Sequence, residues 1–300
     1  MTTEIAELMI SDIVQLLVAG LATGAIYALA AIGFTLLWQT SQTINFAQGE
    51  FVMLPAFFVL IAMNLGLPLY AAIVIAMGVS VVALGLLFKR LVVDPMIRHG
   101  VLPLVISTIA LALLLKEGVK EFYGAEAQPF PPLAADINVP IGGASVSVQS
   151  LVVIAVAVAA VAALQIFLER TRTGRSMQAT AQNPAVARIL GIPVERMILY
   201  TFLINAALTA LASILVTPVY LAKFTNGEWL GLYAFIAAII GGFNQVRGAI
   251  VGGLLLGVLD NLAAAYLSAA YRAALPLVIL IVVILFRPQG LLGRVEERTV

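Results

Sequence analysis

The chain contains no cysteine and a single histidine, and charged residues occupy only 10% of its 300 positions. Without thiols there is no disulfide framework, no thiolate chemistry and no cysteine-based metal site. The histidine, His99, follows Arg98 in a loop and reads as a solvated side chain. It cannot supply the clustered ligands or the nucleophile and base that an intramembrane enzyme needs. The phosphate-cradling pattern Gly-x-x-x-x-Gly-Lys-Ser/Thr is also missing, so the chain is expected not to hydrolyse ATP itself. A net charge of +1 gives no support for nucleic acid as a partner. No cofactor and no metal are called for.

Apolar residues fill the space that charge leaves, at 62% of the chain. Soluble domains hold roughly 45–50% apolar and about 25% charged residues, so membrane lipid is the expected surroundings. A bilayer core about 30 Å thick takes about 20 helical residues to cross, and only helices or closed barrels satisfy the backbone there. Long unbroken apolar runs, without alternation at period two, select helices. The predicted fold class is all-α: a polytopic transmembrane helical bundle, a single domain over residues 1–300, multi-pass in a cell membrane.

Nine apolar segments can be drawn: Ile13 to Trp38, Phe51 to Leu65, Tyr70 to Phe88, Val101 to Leu115, Ser150 to Leu168, Met197 to Leu221, Trp229 to Phe243, Ala249 to Leu267 and Ala273 to Phe286. Phe51 to Leu65 and Trp229 to Phe243 fall short of a full crossing and are candidates for half-helices or re-entrant pieces packed inside the bundle. Eight or nine crossings follow. The N-terminus carries Glu4, Glu7 and Asp12 but no base before the first run, unlike a signal peptide, so that run reads as a retained span.

Lys and Arg gather in cytoplasmic loops. With the N-terminus outside and nine crossings, Lys89, Arg90, Arg98, Arg170, Arg172, Arg175, Arg188, Arg196, Arg247, Arg287, Arg294 and Arg298 fall inside, whereas Lys116, Lys120, Lys223 and Arg272 fall outside. That bias favours N-out, C-in.

Two polar segments interrupt the apolar pattern. Lys116 to Gln149 holds Pro129, Pro131, Pro132, Pro140, Gly142 and Gly143 and reads as an irregular external loop. Glu169 to Arg196 carries five arginines and a punctuated helix of about two turns. Asn183 is the N-cap and Pro184 suits the first helical position. Gly191 ends the helix and Pro193 prevents its return. Ala185, Val186, Ile189 and Leu190 are spaced to share one face. Such a helix suits either docking into a partner's groove or lying on the inner leaflet.

Within the spans, Asn205, Thr209 and Ser213 recur every four residues and form one polar stripe. Gly253, Gly257 and Asn261 form another, with Asp260 adjacent. Such groups face protein or water rather than lipid, either lining a pathway or packing helix on helix. Gly20 and Gly24 read as a packing pair. The glycine-rich first span and the glycine-rich span after Arg247 share a faint similarity that would fit a diverged internal repeat. Acidic and basic groups are missing from the centres of the drawn spans, which argues against ion coupling; an ATP-independent facilitator or secondary transporter is the alternative reading.

The run Thr173 to Pro193, including Gly174 and Arg175, resembles the coupling loop of ABC importer permeases. Asn45-Phe-Ala-Gln-Gly-Glu50, the glycines at 241, 242, 248, 252, 253 and 257, and Arg287-Pro-Gln-Gly-Leu-Leu-Gly293 resemble the LivH-type permeases of branched-chain amino acid importers. The likeness runs from about Gly20 to Gly293. It implies a second, different permease chain, two cytoplasmic ATPases that receive Asn183 to Gly191, and an external solute-binding protein. It also implies a role for Asn45, Gln48 and Glu50 at the pathway or gate. Gln48 stands where the family often has His, and Pro55 where Gly is usual, which leaves the solute open among branched-chain amino acids, urea and short amides.

Overall fold

The computed structural model describes residues 2–134, 137–141, 143–267 and 274–293, with side chains from Ser11 onward except that of Ile141. Arg272, Arg294, Arg298, Gly142, Ala273 and the side chains of Glu4 and Glu7 therefore lie outside the described residues. Twelve α-helices are described in chain order. They are α1 (Thr2–Ser41), α2 (Gln48–Asn64), α3 (Leu69–Ser80), α4 (Asp94–Ile97), α5 (Val101–Tyr123), α6 (Val148–Arg170), α7 (Arg172–Gln182), α8 (Pro184–Ile189), α9 (Val194–Tyr220), α10 (Asn226–Gly241), α11 (Val246–Tyr266) and α12 (Leu275–Phe286). Wider π-helical turns over Val81–Leu87 and Lys89–Val93 join α3 to α4 as one rod, Leu69–Ile97.

Six of these helices are long and apolar enough to cross a membrane: Ser11–Ser41, Leu69–Ile97, Val101–Tyr123, Val148–Arg170, Val194–Tyr220 and Val246–Tyr266. The shorter α2 and α10 belong to the interior. Most of α2's first eight residues are buried, as are Tyr233 through Ala238 with one exception. Several elements outrun their apolar runs. The rod from Leu69 continues past Phe88 because Lys89, although buried, is held by both carboxylate oxygens of Asp94 at 2.7 and 2.9 Å. Likewise α5 continues from Leu115 through Lys116 and Lys120 to Tyr123.

The segment from Lys116 to Gln149 is less irregular than its prolines indicate, since Asn138–Ile141 (β1) and Ala144–Ser147 (β2) pair antiparallel in a two-stranded hairpin. Pro140 is tolerated in β1, as proline is on strands without a second neighbour. The polar segment after α6 also holds more structure than expected. Ahead of α8 lies α7, whose Met177 and Thr180 are buried.

Helices in lipid gain little from burying apolar surface against one another, so close packing and specific contacts must join them. The α1–α11 pair does this through small residues. A β-carbon on Gly24 would fall 2.8 Å from the Gly253 carbonyl oxygen, and one on Gly257 would fall 2.2 Å from the Gly24 Cα. Gly20 meets Val258 and Gly253 meets Ala28, so the two helices run antiparallel. The glycine similarity of these spans thus reflects one shared interface. Aromatic edges join others: Phe51 on Phe88 at 4.9 Å, and Phe88 on Phe202 at 5.9 Å, each pair contributing roughly 0.5–1.5 kcal/mol beyond its area.

Candidate functional site: an exposed knob and a buried junction of two half-helices

The knob forms at one end of the bundle. Thr171 begins it: its Oγ1 accepts from the Gly174 N–H at 2.9 Å and donates to the Phe167 carbonyl at 2.7 Å, turning the chain sharply from α6 into α7. Gly174 is buried in that turn, where a β-carbon would lie 2.2 Å from the Phe167 carbonyl oxygen. Arg175 beside it is exposed. Asn183 then caps α8 as its sequence position predicts, accepting from the Ala185 and Val186 N–H groups, each at 3.0 Å. Pro184 occupies the first turn. Gly191 takes φ +79°, a left-handed conformation that costs glycine nothing.

This short rod shows its apolar face to the outside. Ile189 is 84% exposed and Leu190 72%, with Val186 and Ala185 exposed beside them, while Ala187 anchors the inner side. Arg188 lies 3.6 Å from Glu195 at the start of α9. Arg247 at the start of α11 lies 3.5 Å from Glu169 at the end of α6. The basic starts and ends of several helices therefore share the knob's end of the molecule.

The junction is buried. After α1 the chain turns back, and Gln48, the first residue of α2, sits beside the middle of α1 and α9. Its Nε2 donates to Asn205 Oδ1 at 2.7 Å, and Asn205 Nδ2 donates to Gln48 Oε1 at 3.0 Å. Gly33 leaves room for this amide pair: a β-carbon there would lie 2.0 Å from Asn205 Oδ1. Asn45 shapes the entry, accepting from the Ala47 N–H at 3.0 Å. Eight residues further on, the Ala56 N–H donates to Ser213 Oγ at 3.1 Å, so α2 and α9 run parallel. Pro55 lies one residue before that contact, inside α2.

A second half-helix meets the first here. Gly49 is pressed against Gly227 and Gly231 of α10; its β-carbon would fall 2.0 Å from the Gly227 carbonyl oxygen. Neither α2 nor α10 has a side-chain cap at its start. Glu50 is 4% exposed and lies against Gly227, with an Oε2 that has no hydrogen-bond partner. Glu228 instead reaches Lys116 on α5. Glu50 brings an ionisable group into the bundle from outside the drawn spans, because α2 begins three residues before the apolar run that marks it.

The two junction arms share a short motif. Phe46-Ala-Gln-Gly-Glu50 matches Phe224-Thr-Asn-Gly-Glu228, and Ala56-Phe57 matches Ala234-Phe235 at the same spacing. Each arm is a long helix, a turn back and a half-helix, and the arms are inverted. α10 lies along α1, through Phe34 on Phe235 at 5.4 Å and Trp38 on Phe243 at 5.6 Å, while α2 lies along α9. Inverted repeats with discontinuous helices are a recurrent transporter design.

The remaining residues singled out from sequence have internal partners. Thr209 Oγ1 donates to the Asn205 carbonyl at 3.0 Å. Asp260 is buried and accepts from the Tyr27 hydroxyl at 3.2 Å. Asn261 bonds the Gly257 carbonyl of its own helix at 3.0 Å. His99 is exposed, its Nδ1 2.9 Å from the Pro95 carbonyl. The terminal Arg287 to Gly293 run folds back on α10, where Leu291 and Leu292 donate to the Ile240 and Gly241 carbonyls at 2.8 and 2.9 Å.

A multi-pass helical bundle with inverted half-helices at its centre and an exposed capped knob at one end defines a membrane permease. Residues 16–284 match the family described as the permease component of the branched-chain amino acid transport system, and the chain belongs to that family. It is 34% identical over 295 residues to the high-affinity branched-chain amino acid transport permease LivH of Escherichia coli K12, covering 94% of this chain and 96% of the relative. The corresponding BraD permease of Pseudomonas aeruginosa is 32% identical over 299 residues, covering 95% and 97%. A fructose import permease, FruG of Bifidobacterium longum, matches 104 residues at 38% identity, covering 32% of this chain and 31% of the relative. No solved structure matches.

Proposed function

We propose that this chain is one permease subunit of an ATP-driven importer for branched-chain amino acids, and that it pairs with a second, different permease chain. The observation that carries the reading is α8: a rod capped at both ends whose Ile189 and Leu190 side chains stay exposed among the described residues. One of two separate ATPases receives Ala185, Val186, Ile189, Leu190 and the bracketing Arg175 and Gly191, buried Gly174 shapes the turn behind them, and an external binding protein delivers the solute. The knob is seated on the ends of α6 and α9, so its displacement moves both. Nucleotide shifts the permease between arrangements only because the ATPase states bind them with different affinity.

The bundle crosses nine times in this reading, N-terminus outside and C-terminus inside, with α2 and α10 each completing a crossing begun by a turned-back loop. Support comes from contacts that join segments assigned to one face: Arg247 with Glu169, and Leu291 with Ile240 on the inner side. On the outer side, Gln128 pairs with Ala222. The solute passes by Asn45, Gln48 and Glu50. Asn205, Thr209, Ser213, Gly257, Asp260 and Asn261 brace the helices around that route, as their internal bonds favour.

The test is reconstitution with partner permease, ATPases and binding protein, and measurement of ATP-dependent uptake over leucine, isoleucine, valine, urea and short amides. Uptake of the three branched-chain amino acids is expected. Uptake that proceeds without ATP, or without the ATPase subunits, overturns the proposal.

A further inference from the structure

The half-helix junction combines features that packing alone leaves unexplained. Glu50 is enclosed among α2 and α10, yet its Oε2 has no hydrogen-bond partner. Lys116, a cation on a neighbouring helix, is committed to Glu228. A buried carboxyl oxygen without a hydrogen-bond partner is costly, and more so inside a membrane protein. The matching glutamate of the other arm, Glu228, escapes that cost at 58% side-chain exposure and with an ion pair. The unsatisfied acceptor is therefore specific to Glu50 and not a by-product of the repeated motif.

Around it are two helix starts. The N-termini of α2 and α10 meet at Gly49 and Gly227, and neither is closed by a capping side chain. Helix starts carry partial positive charge and unspent N–H groups, which favour an anion. A carboxylate with an unsatisfied oxygen beside two uncapped starts offers one place for a cationic group and one for an anionic group. A bare metal ion satisfies only the first and is repelled by the second; a zwitterion satisfies both.

We propose that this junction is a gate on the solute's route, and that Glu50 recognises the ammonium group of an α-amino acid as the half-helices part. The proposal rests on the importer reading above and adds the chemistry of recognition to it. In the structure the gate is shut, because Gly49 lies against the Gly227 and Gly231 backbones with no room for a methyl group. Opening separates these glycines and exposes Glu50 to the amine, while the freed helix starts face the carboxylate. Side chains of the solute make no use of these groups, so one site serves leucine, isoleucine and valine alike.

The experiment uses the complete reconstituted complex. Glu50→Gln removes the charge while keeping the shape, and is expected to lower leucine uptake by about tenfold or more, the loss of one charge-assisted bond. Co-purification of the ATPase subunits with the Glu50→Gln permease is expected to persist, since the knob is untouched. Glu50→Asp is expected to retain intermediate uptake. A second measurement does not depend on Gln being tolerated: Glu50→Cys, alone in a cysteine-free chain, is expected to react with a thiol reagent only during turnover. Leucine should protect it, and 4-methylpentanoate, which lacks the amine, should not. Leucine uptake by Glu50→Gln within about twofold of wild type, or equal protection by both compounds, overturns the proposal. A wild-type complex that imports only solutes without an amino group overturns the importer reading for amino acids instead.

Discussion

Gln48 and Asn205 hold each other by two reciprocal amide bonds of 2.7 and 3.0 Å, tying the first residue of a half-helix to the middle of a long span. Both side chains are fully buried. The pair fixes where α2 begins, and with it the depth of Gly49 and Glu50.

Replacing either amide alone, as Gln48→Leu or Asn205→Leu, leaves its partner buried and unsatisfied. A loss of about 1–3 kcal/mol is expected for each, read as a lower thermal midpoint in detergent. The double variant is expected to lose less than the sum of the two, because it leaves no orphan amide. Additive losses would show that the two residues act separately.

Gly49→Ala places a methyl group 2.0 Å from a backbone carbonyl oxygen of α10. Backbone cannot yield as a side-chain tip does, so the half-helices are forced apart. Destabilisation of about 1–3 kcal/mol is expected, together with impaired uptake. Gly78→Ala, where nothing lies within 4 Å, serves as the control and is expected to be neutral. Equal behaviour of the two variants would remove the close approach from the account.

Asn183→Ala removes the acceptor for the Ala185 and Val186 N–H groups. The expected cost to α8 is about 1 kcal/mol, and because the rod is peripheral it falls on coupling more than on global stability. Uptake per ATP hydrolysed is expected to drop, with Asn183→Asp close to wild type. A drop in thermal midpoint with normal coupling would reverse that assignment.

Much of this architecture was legible from residue order. Asn183, Pro184 and Gly191 mark α8 because capping is local chemistry, readable within a few positions. The shortness of two apolar runs pointed to half-helices. Their depth was not legible, because α2 starts at Gln48 with polar residues that an apolar run excludes; only the partners Asn205 and Gly227 make that start buried. The inverted arms are faint in the sequence because their identity is confined to positions such as Phe46 and Phe224, Gly49 and Gly227, or Glu50 and Glu228. The glycines of α1 and α11 gave the stronger sequence similarity, yet they face each other across one interface. The hairpin at Asn138–Ser147 lies among prolines and glycines, where local signals indicate turns without fixing which strands pair.

The knob's partner is the central claim, and the cysteine-free chain makes it directly testable. Ile189→Cys places one thiol on the exposed face of α8. In native membranes, a short bifunctional reagent is expected to join it to the ATPase subunit, with a yield that changes with nucleotide. Adducts with lipid alone, at every nucleotide state, would contradict the account.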